Sequence, residues 1–343
     1  MNVFELRSAV WEITLACCFS CKYCGSTGGK ARENGLSTDE WIDVVHQLAE
    51  LGCKRVSLIG GEVFMRKDWK AIVRELTSCG IKTAIITNGF LFNDVVLSDL
   101  KEVDVESVAV SLDSVEFVHD RYRQQGSYKR AVEAIDRLAG AGITVTVIST
   151  LNSENVAYLK EFYDILCTKP IAAWQLQACS PMGNAANSGI EYRFDFGEVI
   201  SFAEAHMDNA PFAMGIADNI GYYTENEGSL RGRKGFYFTG CKAGLTIIGI
   251  DSVGNVRGCE AMYDDSFIEG NIRNRKLRDI WDDPNAFAYN RHFTAEKLTG
   301  ACKTCEYGQY CAGGCRSYNF FVHGKMYESP ACARYHSIVT DFK

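Results

Sequence analysis

The sequence predicts an α/β chain: a partial (β/α)6 barrel of the TIM type followed by a cysteine-rich domain. Two observations lead there. From about residue 8 to 177, short apolar, β-branched runs alternate with longer amphipathic stretches, the pattern of repeated βα units on a parallel sheet. The remaining C-terminal hundred residues carry closely spaced cysteines and few long helical runs.

The strand expectations, in order, are Ala9 to Thr14, Arg55 to Ile59, Thr83 to Thr87, Ser107 to Leu112, Thr144 to Ser149 and Ala172 to Gln177. Helices are expected near 38–51, 68–79, 93–101, 127–140 and 153–166. The first opens with Ser37-Thr38-Asp39-Glu40, a capping-box pattern that satisfies free amides at a helix start. Six strands are too few for a closed eight-fold barrel and suit one with an open side. Active residues then belong at the C-terminal ends of the strands.

The expected division is a barrel over 1–185, a bridging segment over 186–235 and the cysteine-rich domain over 236–343. The bridge contains Pro181-Met182-Gly183-Asn184 at its edge, a helix near 195–208 and the basic run Arg231-Gly232-Arg233-Lys234, read as a solvated loop. A hairpin is expected across Leu245 to Arg257.

With 36 Lys and Arg against 43 Asp and Glu, a net charge of −7 gives no electrostatic reason to bind nucleic acid. The start lacks a signal-peptide pattern and no apolar run reaches membrane-spanning length, so a cytoplasmic protein without membrane contact is expected. Fifteen cysteines, an odd number in tight groups, argue against a secreted disulfide framework and for metal or redox chemistry.

Cys17, Cys21 and Cys24 follow the CxxxCxxC spacing directly after the first strand. Thiolates this close on one loop can converge on a soft metal site, and three of them leave a fourth position open. At this composition such a triplet arises by chance about 3% of the time, so position matters as much as spacing. Polar motifs fall at later strand ends: Gly60-Gly61-Glu62, Ser111-Leu112-Asp113 and Asn152.

This ordered set closely resembles the radical S-adenosylmethionine (SAM) superfamily. The resemblance implies a 4Fe-4S cluster on Cys17, Cys21 and Cys24 whose unique iron chelates SAM. It also implies that Tyr23 lies beside the adenine, that Gly60, Gly61 and Glu62 approach the SAM ammonium, that Ser111 and Asp113 contact the ribose, and that Asn152 adds a weaker SAM contact. Cys18 is expected to point away from the cluster. Cys53, Cys79, Cys167 and Cys179 read as small buried hydrophobes.

Toward the C-terminus lie Cys241, Cys259, then Cys302-x2-Cys305-x5-Cys311-x3-Cys315, and Cys332. Paired cysteines often hold tetrahedral zinc, but seven do not divide into two four-thiolate sites. Their intervals are similar to those of the SPASM domain, which implies two auxiliary 4Fe-4S clusters and three in all. By that pattern Cys241, Cys259 and Cys315 hold the nearer one, and Cys302, Cys305, Cys311 and Cys332 the outer one. The nearer cluster lacks a fourth thiolate, which leaves a non-cysteine ligand or an open iron, with the open iron slightly preferred. Glu260 stands where the related sulfatase-maturating enzymes place a catalytic base. The histidines, His119 and His323 among them, have no ligand-like spacing.

The implied activity is reductive cleavage of SAM to a 5′-deoxyadenosyl radical that abstracts a hydrogen atom from a substrate. The segment Cys24 to Arg32 followed by Gly35-Leu36-Ser37 resembles maturases of ribosomally made peptides (RiPPs), so a precursor peptide is the expected substrate, modified by cross-linking, epimerisation or backbone excision. The expected partners are a reductant such as flavodoxin or ferredoxin and a separate leader-recognition protein, because the first strand begins within about ten residues of Met1. The alternatives are a SAM-dependent dehydrogenase of a small alcohol or aminoglycoside, a sulfatase-type Cys or Ser maturase, and a non-enzymatic iron-sulfur electron carrier or zinc scaffold.

Overall fold

The computed structural model describes residues 4–231, 235–330 and 332–335. The basic run lies outside the described residues except for Arg231. All six expected strands are present: β1 (Ser8–Glu12), β2 (Arg55–Ile59), β3 (Lys82–Thr87), β4 (Ser107–Ser111), β5 (Val145–Leu151) and β6 (Ala173–Ala178). The segment read as a bridge adds β7 (Ala213–Ile216), and the C-terminal part adds β8 (Ile247–Ile250), β9 (Asn255–Arg257) and β10 (Gly270–Asn271).

These form one sheet in the order β10-β9-β8-β1-β2-β3-β4-β5-β6-β7. Strands β1 to β7 pair in parallel with their sequence neighbours. The expected hairpin is present as β8 and β9, but it is no separate layer. Its first strand pairs in parallel with β1, Ser8 against Ile247, so the cysteine-rich part continues the barrel sheet at its first edge.

Helices α1 (Thr38–Glu50), α2 (Trp69–Ser78), α3 (Asp94–Lys101), α4 (Glu116–Tyr122), α5 (Ser127–Gly140), α6 (Leu159–Cys167) and α7 (Phe196–His206) connect these strands. The Ser37–Glu40 capping box forms reciprocally at the start of α1. Helix α4 is the one the periodicity did not indicate; at seven residues it is too short to register a 3.6-residue repeat.

Strands covered on both faces need apolar side chains on both, which is why β4 reads Ser-Val-Ala-Val-Ser with its first four residues buried. Trp11, Trp41, Leu58, Val110, Val147 and Trp174 are completely enclosed in the core beneath this sheet. The effect is a rigid floor whose strand ends carry the polar motifs. Among the described residues no helix is long and apolar enough to cross a membrane.

Candidate active site

The loop after β1 holds the first cysteine group, and its shape is set by backbone contacts from two directions. Below it, Gly61 N–H donates to the Thr14 carbonyl (2.7 Å) and Glu62 N–H to the Ala16 carbonyl (2.8 Å). A Cβ on Gly60 would lie 2.1 Å from Thr14 O, and one on Gly61 2.3 Å from Ala16 O. The glycines therefore serve the close approach of two chain segments at the base of the loop. From the other side, Asn184 donates its backbone N–H to Cys24 O and its side-chain amide to Cys21 O, both at 2.9 Å.

Cys21 sits close enough to Cys17 and Cys24 for their charges to act on it, and burial, with those charges, pushes its thiol up to about 12 against the pull of Arg123. Cys18 does not point away. It shares a hydrogen bond with Cys17, and the Asn88 side-chain amide lies 3.8 Å from Cys17 Sγ and 3.6 Å from Cys18 Sγ. The reason is that the chain bends at Cys18, so adjacent side chains meet the same amide.

Glu62 is enclosed at the end of β2, accepting from Thr87 Oγ1 (2.8 Å), Asn88 N–H (2.8 Å) and Phe64 N–H (3.3 Å). Burial outweighs these bonds and raises its pKa. At the end of β4, Asp113 accepts from the Tyr23 hydroxyl, from Arg123 and from Thr150 N–H (2.9 Å). Burial alone would raise Asp113, but the charge and hydrogen bonds of Arg123, with His119 and the Thr150 N–H, together outweigh it and hold the carboxyl low. Ser111, half-buried, closes β4 two residues earlier.

Tyr23 packs against Cys179 and Ala185, with the Arg123 guanidinium 5.5 Å over its ring. Asn152, fully buried after β5, uses its side-chain oxygen to accept from Glu154 and Asn155 N–H, while its Nδ2 has no partner. The structure thus brings Tyr23, Asp113 and the cysteine loop together and sets Glu62 and Asn152 at neighbouring strand ends. It adds Arg123 and Asn184, which lie in non-periodic segments without a motif spacing to mark them.

Of the scattered cysteines, Cys53 and Cys179 are buried, as expected of small hydrophobes, while Cys79 and Cys167 are half-buried.

Cys241, Cys259 and Cys315 lie within electrostatic reach of one another; burial and then Cys241 raise both Cys259, to about 12, and Cys315. Cys315 caps the N-terminus of the helix Arg316–His323, where the helix dipole favours a thiolate. Cys302, Cys305, Cys311 and Cys332 line a single cavity with Tyr222, Tyr223 and Tyr307.

Tetrahedral zinc, with Zn–S near 2.3 Å, needs sulfurs about 3.8 Å apart. Among the described residues the only three donors lying within 4.8 Å of one another are His46, Glu75 and Cys79, on the outer faces of α1 and α2. The cysteine groups are spaced too widely for one zinc ion and suit a larger, multi-iron unit. A free donor at Asn152, three convergent thiols that oppose each other's ionisation, and a four-cysteine cavity all fit the implied cofactors.

Glu260 lies over β8, where a Cβ on Gly249 would come within 2.6 Å of its Oε1, an oxygen without a partner. Burial, reinforced by Glu12, pushes its carboxyl well above the usual range. Glu12 itself anchors a network that spacing could not reveal: Arg32 (Nε–Oε1 3.0 Å), the Tyr263 hydroxyl (2.9 Å) and Ser252 (2.6 Å) converge on it from across the chain.

Comparison with known proteins agrees with this geometry. The radical SAM superfamily model matches residues 11–166, and the SPASM iron-sulfur cluster-binding domain model matches 241–306. The chain is 27% identical over 343 residues to the AdoMet-dependent heme synthase of Oleidesulfovibrio alaskensis, covering 95% of this chain and 87% of that one. It is 28% identical over 327 residues to mycofactocin maturase MftC of Mycolicibacterium smegmatis, covering 91% and 78%. Its fold is similar to that of SuiB from Streptococcus suis bound to S-adenosylmethionine, with TM-score 0.76 at 17% identity, covering 96% of this chain and 77% of that one. The chain is an enzyme of the radical SAM superfamily, with a SPASM domain, that uses SAM and iron-sulfur clusters.

Proposed function

We propose that this enzyme carries three 4Fe-4S clusters and modifies a ribosomally made peptide by hydrogen-atom abstraction. The observation that carries the three-cluster reading is the sorting of seven downstream cysteines into two groups, Cys241–Cys259–Cys315 and the cavity of Cys302, Cys305, Cys311 and Cys332. The mycofactocin maturase relative, and SuiB, also solved with precursor peptide SuiA, support the peptide substrate.

When bound, a reduced cluster on Cys17, Cys21 and Cys24 together with SAM supplies a carbon radical able to take a substrate hydrogen. The chain's own contribution is placement. Asn184 and Gly61 hold the cysteine loop from two sides, Asp113 fixes Tyr23 and Arg123 in the cleft, and Asn152 keeps one donor free. Glu260, with a free carboxyl oxygen beside the nearer auxiliary thiolates, is the candidate to take a substrate proton. Flavodoxin or ferredoxin as reductant, a separate leader-recognition protein and a cytoplasmic site belong to the same proposal.

The heme synthase relative supports a second reading, a tetrapyrrole substrate. One experiment separates them: SAM cleavage by the reconstituted enzyme, measured with a candidate precursor peptide or with an iron porphyrin. Stimulation and a mass change of the peptide support the first reading, with loss of two hydrogens for a cross-link and a larger loss for excision. Stimulation and a mass change of the porphyrin alone overturn it.

A further inference from the structure

The two auxiliary cysteine groups meet along one seam of backbone. Gly240, which precedes Cys241, packs so closely on the other group that a Cβ on it would lie 3.1 Å from Ala312 Cβ and 3.5 Å from Cys311 O. Arg316 follows Cys315 directly in the chain, and its side chain is completely buried at this seam. Its Nη1 donates to Ala312 O, next to Cys311, and to Met326 O (2.9 Å). Its Nε donates to Asn290 Oδ1 (2.9 Å), and the Asn290 amide donates in turn to Ala243 O (2.8 Å), two residues beyond Cys241. The guanidinium is thus tied to the chain beside Cys311 on one side and beside Cys241 on the other.

Every acceptor in this set is neutral. Among the described residues no carboxylate pairs with Arg316, and its Nη2 has no partner at all. Two other arginines with enclosed side chains differ in this respect: Arg231 bonds Glu227 (2.8 Å) and Arg257 bonds Asp251 (2.9 Å). Around Arg316 the remaining contacts are aromatic, with the rings of Tyr327 and Phe293 centred 4.5 and 5.3 Å from the guanidinium carbon.

A guanidinium does not give up its proton inside a protein. A buried positive charge without a counter-ion is costly, so negative charge has to face it from elsewhere. Burial works against the Arg316 charge, and the groups whose charge favours it are Cys241, Tyr327, Cys315 and Cys311, which include cysteines of both auxiliary groups. Thiolates that ligate iron supply that charge, and a cluster gains one more negative charge on reduction. A fixed positive charge beside it therefore favours the reduced state.

We propose that Arg316 is the shared counter-charge of the two auxiliary clusters and raises the reduction potential of both. The inference rests on the three-cluster reading above.

The test uses the full chain, reconstituted anaerobically as wild type, Arg316→Met and Arg316→Lys. Iron is counted, and the clusters are titrated against potential with their signals read by electron paramagnetic resonance. The first cluster is identified as the one whose signal changes when SAM is added. About twelve irons per chain are required by three four-iron clusters. A wild-type count near eight or below overturns that reading, and this inference with it. With the full count, Arg316→Met should make reduction of both auxiliary clusters about tenfold less favourable, a fall of about 59 mV for a one-electron couple, and leave the first cluster unmoved. Arg316→Lys keeps the charge and should recover most of the difference. No shift in Arg316→Met, a shift of one auxiliary cluster only or of all three together, or an equal shift in Arg316→Lys overturns the assignment. If Arg316→Met instead loses auxiliary iron, its retention in Arg316→Lys at wild-type potentials supports the counter-charge, and any other result overturns it.

Discussion

Asn184 donates its side-chain amide to the carbonyl of Cys21 at 2.9 Å across 163 positions of chain. The same residue gives its backbone N–H to Cys24 O, and a Cβ on the preceding Gly183 would come within 2.4 Å of Cys24 O and Gly25 O. The loop after β6 thus acts as a clamp on the loop after β1. A half-buried hydrogen bond of this kind contributes about 1 kcal/mol. Asn184→Ala is expected to speed loss of the first cluster to an iron chelator about fivefold while leaving the other iron in place. Uniform loss of all iron, or no change in rate, would count against the clamp.

Gly61 and Gly29 lie at the same loop and make a matched pair. A Cβ on Gly61 meets Ala16 O at 2.3 Å and Leu15 O at 2.4 Å, whereas one on Gly29 meets nothing within 4 Å. Backbone oxygens at that range cannot move aside as a side chain can. Gly61→Ala should therefore cost about 3 kcal/mol or more and abolish loading of the first cluster. Gly29→Ala should stay within about 0.5 kcal/mol of the parent. Thermal melts and iron counts on both variants check this, and equal behaviour of the two would refute it.

Why some of this was legible in the sequence and some not has a physical cause. Local signals carried the strands, the Ser37–Glu40 cap and the cysteine groups, because each depends on residues close in the chain. Strand β8 beside β1 was not legible, since its pairing joins residues some 240 positions apart and one four-residue run does not reveal its partner. The same holds for Glu12, whose partners Arg32, Ser252 and Tyr263 come from three separate loops. Cys18 failed for a different reason. Alternation along an extended chain predicts opposite directions for neighbours, but the shared Asn88 amide turns Cys17 and Cys18 to one side.

His119 makes the cleft sensitive to acid. Its ring is buried at the foot of Asp113, and its Nδ1 accepts the Asp113 N–H at 3.2 Å while Nε2 has no partner. Burial, with the Arg123 charge added, lowers its pKa from 6.5 to about 4, although Asp113 and Asp120 pull the other way. Because the folded value lies below the unfolded one, the unfolded chain binds the proton first as pH falls. The stability this residue contributes is present above pH 6.5 and is lost as pH drops toward about 4. Between pH 7.5 and 5.5 that loss is about 1 kcal/mol. His119→Asn keeps an acceptor near the Nδ1 position without the titration. The gap in unfolding free energy between wild type and His119→Asn, read from urea melts, should therefore narrow by that amount over this range. Parallel pH profiles would show that the acid sensitivity lies elsewhere.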